Sequence, residues 1–207
     1  QKDYIRQFYP RHGFSILSIK DKKVRNFVHD PNNRNSLPGN EVRCVYKDMN
    51  HNIWVGTNKG LALFNPESEN FIQFNSDGNL SHYIYDIRQL DGNKLWIAME
   101  FGGIAIMDLS QRLFLLPEQT QFHYIREGDD GYSLSNSSAR CIFQDSFKNI
   151  WTGVWGGGIN FLSYEPPLFS GYYYSPNQNS MSRLNNKTAS SICVDSQGKL
   201  RWWAVRL

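Results

Sequence analysis

A block of about fifteen residues recurs along the chain, and this repetition constrains the fold more than any other feature of the sequence. Residues 42–57 read VRCVYKDMNHNIWVGT, and residues 139–153 read ARCIFQDSFKNIWTG. Weaker copies lie at 84–98 and 189–200, and the tryptophans of the first three copies recur at intervals of 42 and 55 residues. Self-similarity with a period of roughly fifty residues predicts a repeat architecture.

Each repeat unit contains four short segments that are predicted to be strands. Residues 42–47 alternate inward and outward side chains and are rich in β-branched and aromatic residues, which favours a strand over a helix. Residues 48–52 supply turn-forming Asp and Asn, and further strands are expected at 53–57, 60–64 and 71–74. No stretch sustains helical periodicity over three turns, so each unit is predicted to be a four-stranded antiparallel meander.

The predicted fold class is all-β, a partial β-propeller of about four four-stranded antiparallel blades. Units of this length, each with a tryptophan and glycines at fixed places, are typical of propeller blades. A lone blade cannot bury both faces, so we expect Trp54, Trp96 and Trp151 to pack between blades, with apolar residues such as Ile159 and Phe161. The single propeller segment 1–207 is predicted to comprise blades at 1–35 (partial), 36–80, 81–130, 131–180 and 181–207 (partial).

Both ends of the chain are predicted to be incomplete blades. Residues 14–29 have the pattern of the last two strands of a blade whose beginning is missing. Near the other end, Arg201 stands six positions after Asp195, where the two strong copies have a tryptophan.

The composition excludes several classes of function. The 207 residues are 40% hydrophobic and 20% charged, which is an ordinary globular composition. The net charge is only +3 and the basic residues are scattered singly, so no nucleic-acid-binding patch is predicted. No apolar run approaches the roughly 18 residues of a membrane span, so no membrane segment is predicted in this stretch.

The residues that bind metals or cofactors do not cluster in the sequence. Five histidines are dispersed, and Asp48–Asn52 begins like a calcium loop but lacks its glycine and distal glutamate, so we interpret it as a turn. Cys44 and Cys141 occupy the same repeat position and are expected to be buried thiols. The sequence therefore predicts neither a metal site nor a cofactor.

Residues 42–57, continued by 60–66, closely resemble the two-component regulator propeller repeat. Residues 29–37 resemble the linker between repeats of that family, and the linker is echoed at 128–134 and 175–180. In that family, such repeats form the periplasmic sensor of membrane-bound hybrid histidine kinases, generally built of two seven-bladed propellers, and many of these sensors respond to oligosaccharides. The resemblance thus implies a periplasmic input domain, a fragment of a seven-bladed propeller.

The same resemblance implies that the fragment is not an enzyme. Neither a helical His-containing dimerisation segment nor a Gly-rich ATP-binding region is found among these residues. The acidic cluster 127–130 lies in a linker, where turn-forming residues are expected, and is not predicted to be catalytic.

The candidate binding surface is the side of the propeller where loops between second and third strands meet the linkers between blades. In an antiparallel meander both sets of loops emerge on one side. Trp155 is predicted to lie in such a loop, since glycines 156–158 follow it, and loop aromatics suit carbohydrate rings. The predicted ligand-binding residues are Asn58, Lys59, Glu100, Phe101, Asn136 and Trp155.

Two alternatives stay open at this point. One is a propeller enzyme that acts on polysaccharide, a lyase or hydrolase; the other is a generic protein-interaction propeller, although the Gly-His and Trp-Asp dipeptides of WD40 repeats are missing. The edge strands of an open blade leave backbone N–H and C=O groups unpaired, and another strand can pair with them. We therefore also expect the segment to associate with the remaining blades or with a second copy of the chain.

Overall fold

The protein is described by a computed structural model that covers residues 12–74, 80, 82–90, 92–110, 116–128 and 133–164, and the backbone of three further strand segments at 4–7, 191–194 and 200–203. The chain forms two compact units, residues 1–164 and 165–207. Apart from one 3-10 turn at Pro117–Gln119, every regular element among the described residues is a strand, which confirms the all-β prediction. The strands are β1 Tyr4–Gln7, β2 Phe14–Ser18, β3 Val24–Phe27, β4 Val42–Lys47, β5 Ile53–Thr57, β6 Gly60–Asn65, β7 Asn70–Gln73, β8 Ile84–Leu90, β9 Lys94–Met99, β10 Gly103–Asp108, β11 Phe122–Ile125, β12 Ala139–Gln144, β13 Ile150–Val154, β14 Gly158–Leu162, β15 Ser191–Val194 and β16 Leu200–Trp203.

The strands form antiparallel sheets in which each strand pairs with its neighbours in sequence. In the first unit, sheet 1 contains β1–β3, sheet 2 contains β4–β7, sheet 3 contains β8–β11 and sheet 4 contains β12–β14. In the second unit, β15 and β16 form sheet 5. Sheets 2 and 3 are the four-stranded meanders predicted from the repeat, and the succession of such sheets is the β-propeller fold predicted from the sequence.

Three apolar cores lie between the successive sheets of the first unit. Side chains alternate across each strand, so Val55 joins the core toward sheet 1 while Trp54 joins the core toward sheet 3. In sheet 3, Ile97 packs back toward sheet 2 and Trp96 packs forward toward sheet 4. The middle strands are therefore apolar on both faces, because a sheet lies against each face.

Sheet 1 has one strand more than the sequence indicated. Residues 14–29 were predicted to hold two strands, and they form β2 and β3. The additional strand is β1, which pairs with β2 and places Tyr4 opposite Ser18. At the other end, β16 pairs with β15 even though Arg201 replaces the repeat tryptophan. The blade boundaries given above stay predictions, since several connecting segments lie outside the described residues.

The repeated turn is built around an aspartate, an asparagine and a tryptophan, which we call the Asp-Asn-Trp clasp. Asp48 Oδ2 accepts hydrogen bonds from Asn52 Nδ2 at 2.8 Å and from Trp54 Nε1 at 2.9 Å. The second copy repeats this arrangement, with Asp145 Oδ2 accepting from Asn149 Nδ2 and Trp151 Nε1, both at 3.0 Å. The clasp explains the spacing of these residues in the sequence, because one carboxylate satisfies both the turn and the indole of the next strand.

Sheet 4 departs from the expectation that its apolar residues are buried. Trp54 and Trp96 are buried as predicted, but Trp151 is 40% exposed, and Ile159 and Phe161 are 73% and 53% exposed. Cys141 is also exposed, so the prediction that it is a buried thiol was wrong. The reason is that these side chains project from the forward face of sheet 4, against which no other sheet of the first unit packs among the described residues.

Candidate functional site

The turns between the second and third strands meet the linkers that lead into the first strands, and we call this surface the loop face. The same backbone hydrogen bond forms in three sheets. Asn58 N donates to Glu41 O at 2.9 Å, Glu100 N donates to Tyr83 O at 3.0 Å, and Trp155 N donates to Ser138 O at 2.8 Å. Asn58, Glu100 and Trp155 are thus equivalent positions on one backbone framework that carries a different side chain in each repeat.

A β-bulge lies next to this surface at the same place in sheets 2, 3 and 4. The register shifts between Val42 and Cys44, between Ile84 and Asp86, and between Ala139 and Cys141, where each first strand pairs with its second strand. An extra residue in one strand bends it and re-aims the side chain that lies at the bulge. The residues at the three bulges are Arg43, Tyr85 and Arg140.

The bulged residues of sheets 3 and 4 form a stack with the turn aromatic of sheet 4. Arg140 Cζ lies 3.9 Å from the ring centroid of Tyr85 and 5.2 Å from that of Trp155. Arg140 Nη2 also donates to Glu100 Oε1 at 2.7 Å. We call Tyr85, Glu100, Arg140 and Trp155 the arginine platform; an arginine held between rings and a carboxylate has few alternative conformations, so the indole is supported in a fixed position.

The indole that the platform supports faces water. Trp155 is 69% exposed, although its backbone N–H is fixed to Ser138 O. Phe101 is the other large exposed aromatic of this surface, at 72%, and its N–H bonds Ser138 Oγ at 3.4 Å. Phe101 has a positive φ of 57°, which is uncommon for a bulky residue. A residue keeps such a conformation only when the surrounding structure holds it there.

The remaining predicted ligand-binding residues are tied into the loop face in different ways. Asn136 is half-buried, and its Oδ1 accepts from Ser138 N at 2.8 Å, which closes the turn before β12. Asn58 is half-buried as well, and its Oδ1 accepts from Glu41 N at 3.4 Å. Lys59 is exposed in the same turn of sheet 2, and its N–H donates to Thr57 Oγ1 at 3.1 Å.

The six predicted residues therefore fall into two groups. Phe101, Asn136 and Trp155 each bond Ser138, and Glu100 bonds Arg140 two residues further along, where sheets 3 and 4 meet. Asn58 and Lys59 belong to the turn of sheet 2 and bond within its own linker and strand end. Their role in binding a ligand stays a prediction for all six.

Sequence reasoning missed Arg140 and Tyr85, the central members of the platform. One signal pointed to Arg140: Arg43 and Arg140 precede a cysteine at the same repeat position, and each cysteine lies opposite a glycine in the neighbouring strand. A Cβ on Gly56 would lie 2.5 Å from Cys44 Sγ. The glycine therefore marks the place where the bulged strand crowds its partner, although only the pairing register reveals the bulge.

The described side chains do not suggest a metal centre or a membrane segment. No three His, Cys, Asp or Glu residues among them come together in a way that could hold a metal ion. In the same part of the chain, no helix has the length and apolar character that a membrane crossing would need.

A known family model matches part of the first strong copy of the repeat. Residues 36–59 match the family model described as two component regulator propeller. Over 88 residues, which are 39% of this chain and 6% of the relative, the sequence is 30% identical to histidine kinase P4 of Formosa agariphila. The chain thus spans a small part of the curated relative that it matches.

Two solved structures extend the similarity over nearly the whole chain. The extracellular domain of the hybrid two-component system BT3049 of B. thetaiotaomicron is 52% identical, with a TM-score of 0.66 over 96% of this chain and 23% of that one. The extracellular domain of the hybrid two-component system BT4673 of the same organism is 16% identical, with a TM-score of 0.60 over 97% of this chain and 27% of that one, which shows a shared fold. One copy of the repeat thus matches the two component regulator propeller model, and 96% of the chain is similar to the extracellular domain of a hybrid two-component system.

Proposed function

We propose that this chain is part of the extracytoplasmic sensor region of a hybrid two-component system and that it lies in the periplasm. The observation that carries the proposal is the 52% identity, over 96% of this chain, with the extracellular domain of such a system. The segment acts as an input domain, which binds a ligand and passes on a change of arrangement without catalysing a reaction. Such a change requires that the ligand bind one arrangement of the sensor more tightly than another.

The ligand that we propose is an oligosaccharide bound at the loop face. An exposed indole offers a flat apolar surface for the C–H face of a pyranose ring, and Trp155 provides this surface as the outer member of the arginine platform. Glu100, Arg140 and Asn136 place carboxylate, guanidinium and amide groups nearby, which are the groups that hydrogen-bond hydroxyls. Phe101, whose backbone N–H bonds Ser138 Oγ, adds a second exposed ring.

Isothermal titration calorimetry of the 207-residue chain against a broad panel of plant, algal and host oligosaccharides tests this function. We expect at least one family to bind and Trp155→Ala to weaken that binding about tenfold, the equivalent of about 1.4 kcal/mol. Phe147→Ala is the matched control, because Phe147 is 79% exposed in the turn at the opposite end of sheet 4. No binding across the panel, or new reducing ends or unsaturated products released by the chain, would overturn the proposal.

We further propose that the segment associates with more blades or with a second copy of the chain. It spans 23% of the solved extracellular domain that it resembles at 52% identity, and the forward face of sheet 4 leaves Phe143 62% exposed. Light scattering of the isolated chain is expected to give a mass above that of one chain, and a monodisperse monomer would contradict the association of copies.

A further inference from the structure

The arginine platform contains charged groups as well as rings, and the way these charges are paired bears on which saccharides fit. Arg140 and Glu100 form an ion pair at 2.7 Å, and their side chains are 27% and 19% exposed. Arg140 Nε is buried and has no hydrogen-bond partner among the described residues. The guanidinium is thus already engaged by a carboxylate and by two rings before any ligand arrives.

Arginines in the first strands of sheets 2 and 3 are also paired with a carboxylate two residues away along the chain. Arg43 lies 3.2 Å from Glu41, and Arg88 lies 3.2 Å from Asp86, whose other oxygen accepts from Ile142 N at 2.9 Å. Each of these arginines therefore has a carboxylate beside it, and at the platform itself the charge of Arg140 beside Trp155 is balanced by Glu100. The three pairs are Arg43 with Glu41, Arg88 with Asp86, and Arg140 with Glu100.

We propose that the arginine platform takes a neutral saccharide and discriminates against uronate-bearing and sulfated ones. This inference rests on the proposed oligosaccharide site and names the ligand class for it. A carboxylate or sulfate on the ligand would have to displace Glu100 from Arg140 or lie beside it, and like charges at that distance repel in a partly dehydrated site. A neutral pyranose stacks on Trp155 and hydrogen-bonds the pair through hydroxyls, which donate to Glu100 and accept from Arg140.

Binding of matched oligosaccharides to the 207-residue chain tests the preference. Neutral glucan, mannan, xylan and galactan oligosaccharides are compared with polygalacturonate, alginate and heparin oligosaccharides of equal chain length, by calorimetry at low and high salt. We expect a neutral probe to bind at least tenfold more tightly than every acidic probe. We also expect the affinity for the neutral probe to change little with salt, because no net charge is neutralised.

Removing one charge of the pair provides a readout that a merely structural role would not give. Glu100→Gln keeps a hydrogen-bond acceptor for Arg140 but leaves the guanidinium without a counter-charge. We expect this variant to gain affinity for the uronate and sulfated probes, several-fold at low salt, while its circular dichroism spectrum is unchanged. Glu41→Gln is the matched control, since Glu41 pairs with the bulged arginine of sheet 2, and it is expected to leave the preference as it is.

The outcomes separate this inference from the proposed function. Tighter binding of a uronate or sulfated probe by the unchanged chain would overturn the neutral preference and leave the oligosaccharide site standing. Absence of binding for all probes would overturn both. Equal gains in acidic binding for Glu100→Gln and Glu41→Gln would also contradict the proposal, because the effect would then come from the net charge of the protein.

Discussion

Sheets 2 and 4 carry the strongest copies of the repeat, yet their equivalent residues have different surroundings. Both have the Asp-Asn-Trp clasp with nearly identical hydrogen bonds, and both have a bulge at the arginine before the cysteine. Trp54 is fully buried, whereas Trp151 is 40% exposed. The comparison separates two contributions: the clasp is local and forms in any copy, while burial depends on whether another sheet packs against the forward face.

Cysteine reactivity is expected to show the largest contrast between the two sheets. Removal from water, with a further contribution from the Asp86 carboxylate, raises the pKa of the Cys44 thiol to about 12. At pH 8 its thiolate fraction is then roughly a thousandfold below that of a thiol with the ordinary pKa. Cys141 is exposed and is expected to react with iodoacetamide first. Peptide mass spectrometry over a time course measures both rates, and equal rates would contradict the difference in surroundings.

Substitution of the two clasp tryptophans is expected to give the next largest difference. Trp54→Ala removes a fully buried indole and should lower the free energy of unfolding by about 3–5 kcal/mol. Trp151→Ala removes a partly exposed ring together with one hydrogen bond, and a loss of about 1–2 kcal/mol is expected. Urea unfolding followed by circular dichroism measures both. Comparable losses would mean that another part of the protein covers Trp151 in solution.

Two equivalent glycines give a smaller contrast. Gly103 and Gly158 begin the third strands of sheets 3 and 4, with φ of 73° and 75°, so alanine at either position costs about 1–2 kcal/mol for the left-handed backbone. A Cβ on Gly103 would also lie 2.1 Å from Ile125 O in the fourth strand, whereas nothing lies within 4 Å of a Cβ on Gly158. Gly103→Ala is therefore expected to cost at least about 2 kcal/mol more than Gly158→Ala in the same unfolding assay.

The smallest expected effect concerns the clasp of sheet 4 at acidic pH. The hydrogen bonds from Trp151 and from Asn149 lower the pKa of Asp145 below its ordinary value of 3.8. Because the folded pKa is depressed, the ionised carboxylate stabilises the fold above pH 3.8, and this contribution disappears as the pH falls through the folded pKa.

Asp145→Asn is accordingly expected to have a lower urea midpoint than the unchanged chain at pH 7. In acid the two midpoints are expected to converge. Glu67→Gln serves as the control for removal of one negative charge, since Glu67 is exposed in the turn between β6 and β7. If the difference in urea midpoint between Asp145→Asn and the unchanged chain stayed constant from pH 7 to pH 3, the acid-dependent stability could not be assigned to the Asp145 carboxylate.

Much of the fold could be predicted from the sequence because its determinants are local. The predicted strands at 42–47, 53–57, 60–64 and 71–74 match β4 to β7 to within a residue at each end. Alternation of side chains and turn-forming residues specify such strands without knowledge of their partners. The exposure of Trp151 could not be predicted in this way, since it depends on packing against the next sheet.

The candidate site shows the same division. The glycines after Trp155 placed this residue in a turn, and the structure places it there, with its ring exposed. Arg140 was not found, because its position results from a register shift against β13 and its contacts are with Tyr85 and Glu100 of another sheet. Pairing register and contacts between sheets leave little trace in a single sequence.

The β-bulge that recurs in the first strands of sheets 2, 3 and 4 separates the proposed recognition residues from the residues that determine the fold. The backbone at this position is fixed by the ladder on either side, while the side chain that it presents is arginine in two repeats and tyrosine in the third. None of the three residues belongs to the described inter-sheet cores, so their exchange offers the proposed oligosaccharide site a way to change its ligand preference while the scaffold stays the same. A library randomised at the three bulges of this chain would be a direct source of binders with new specificities.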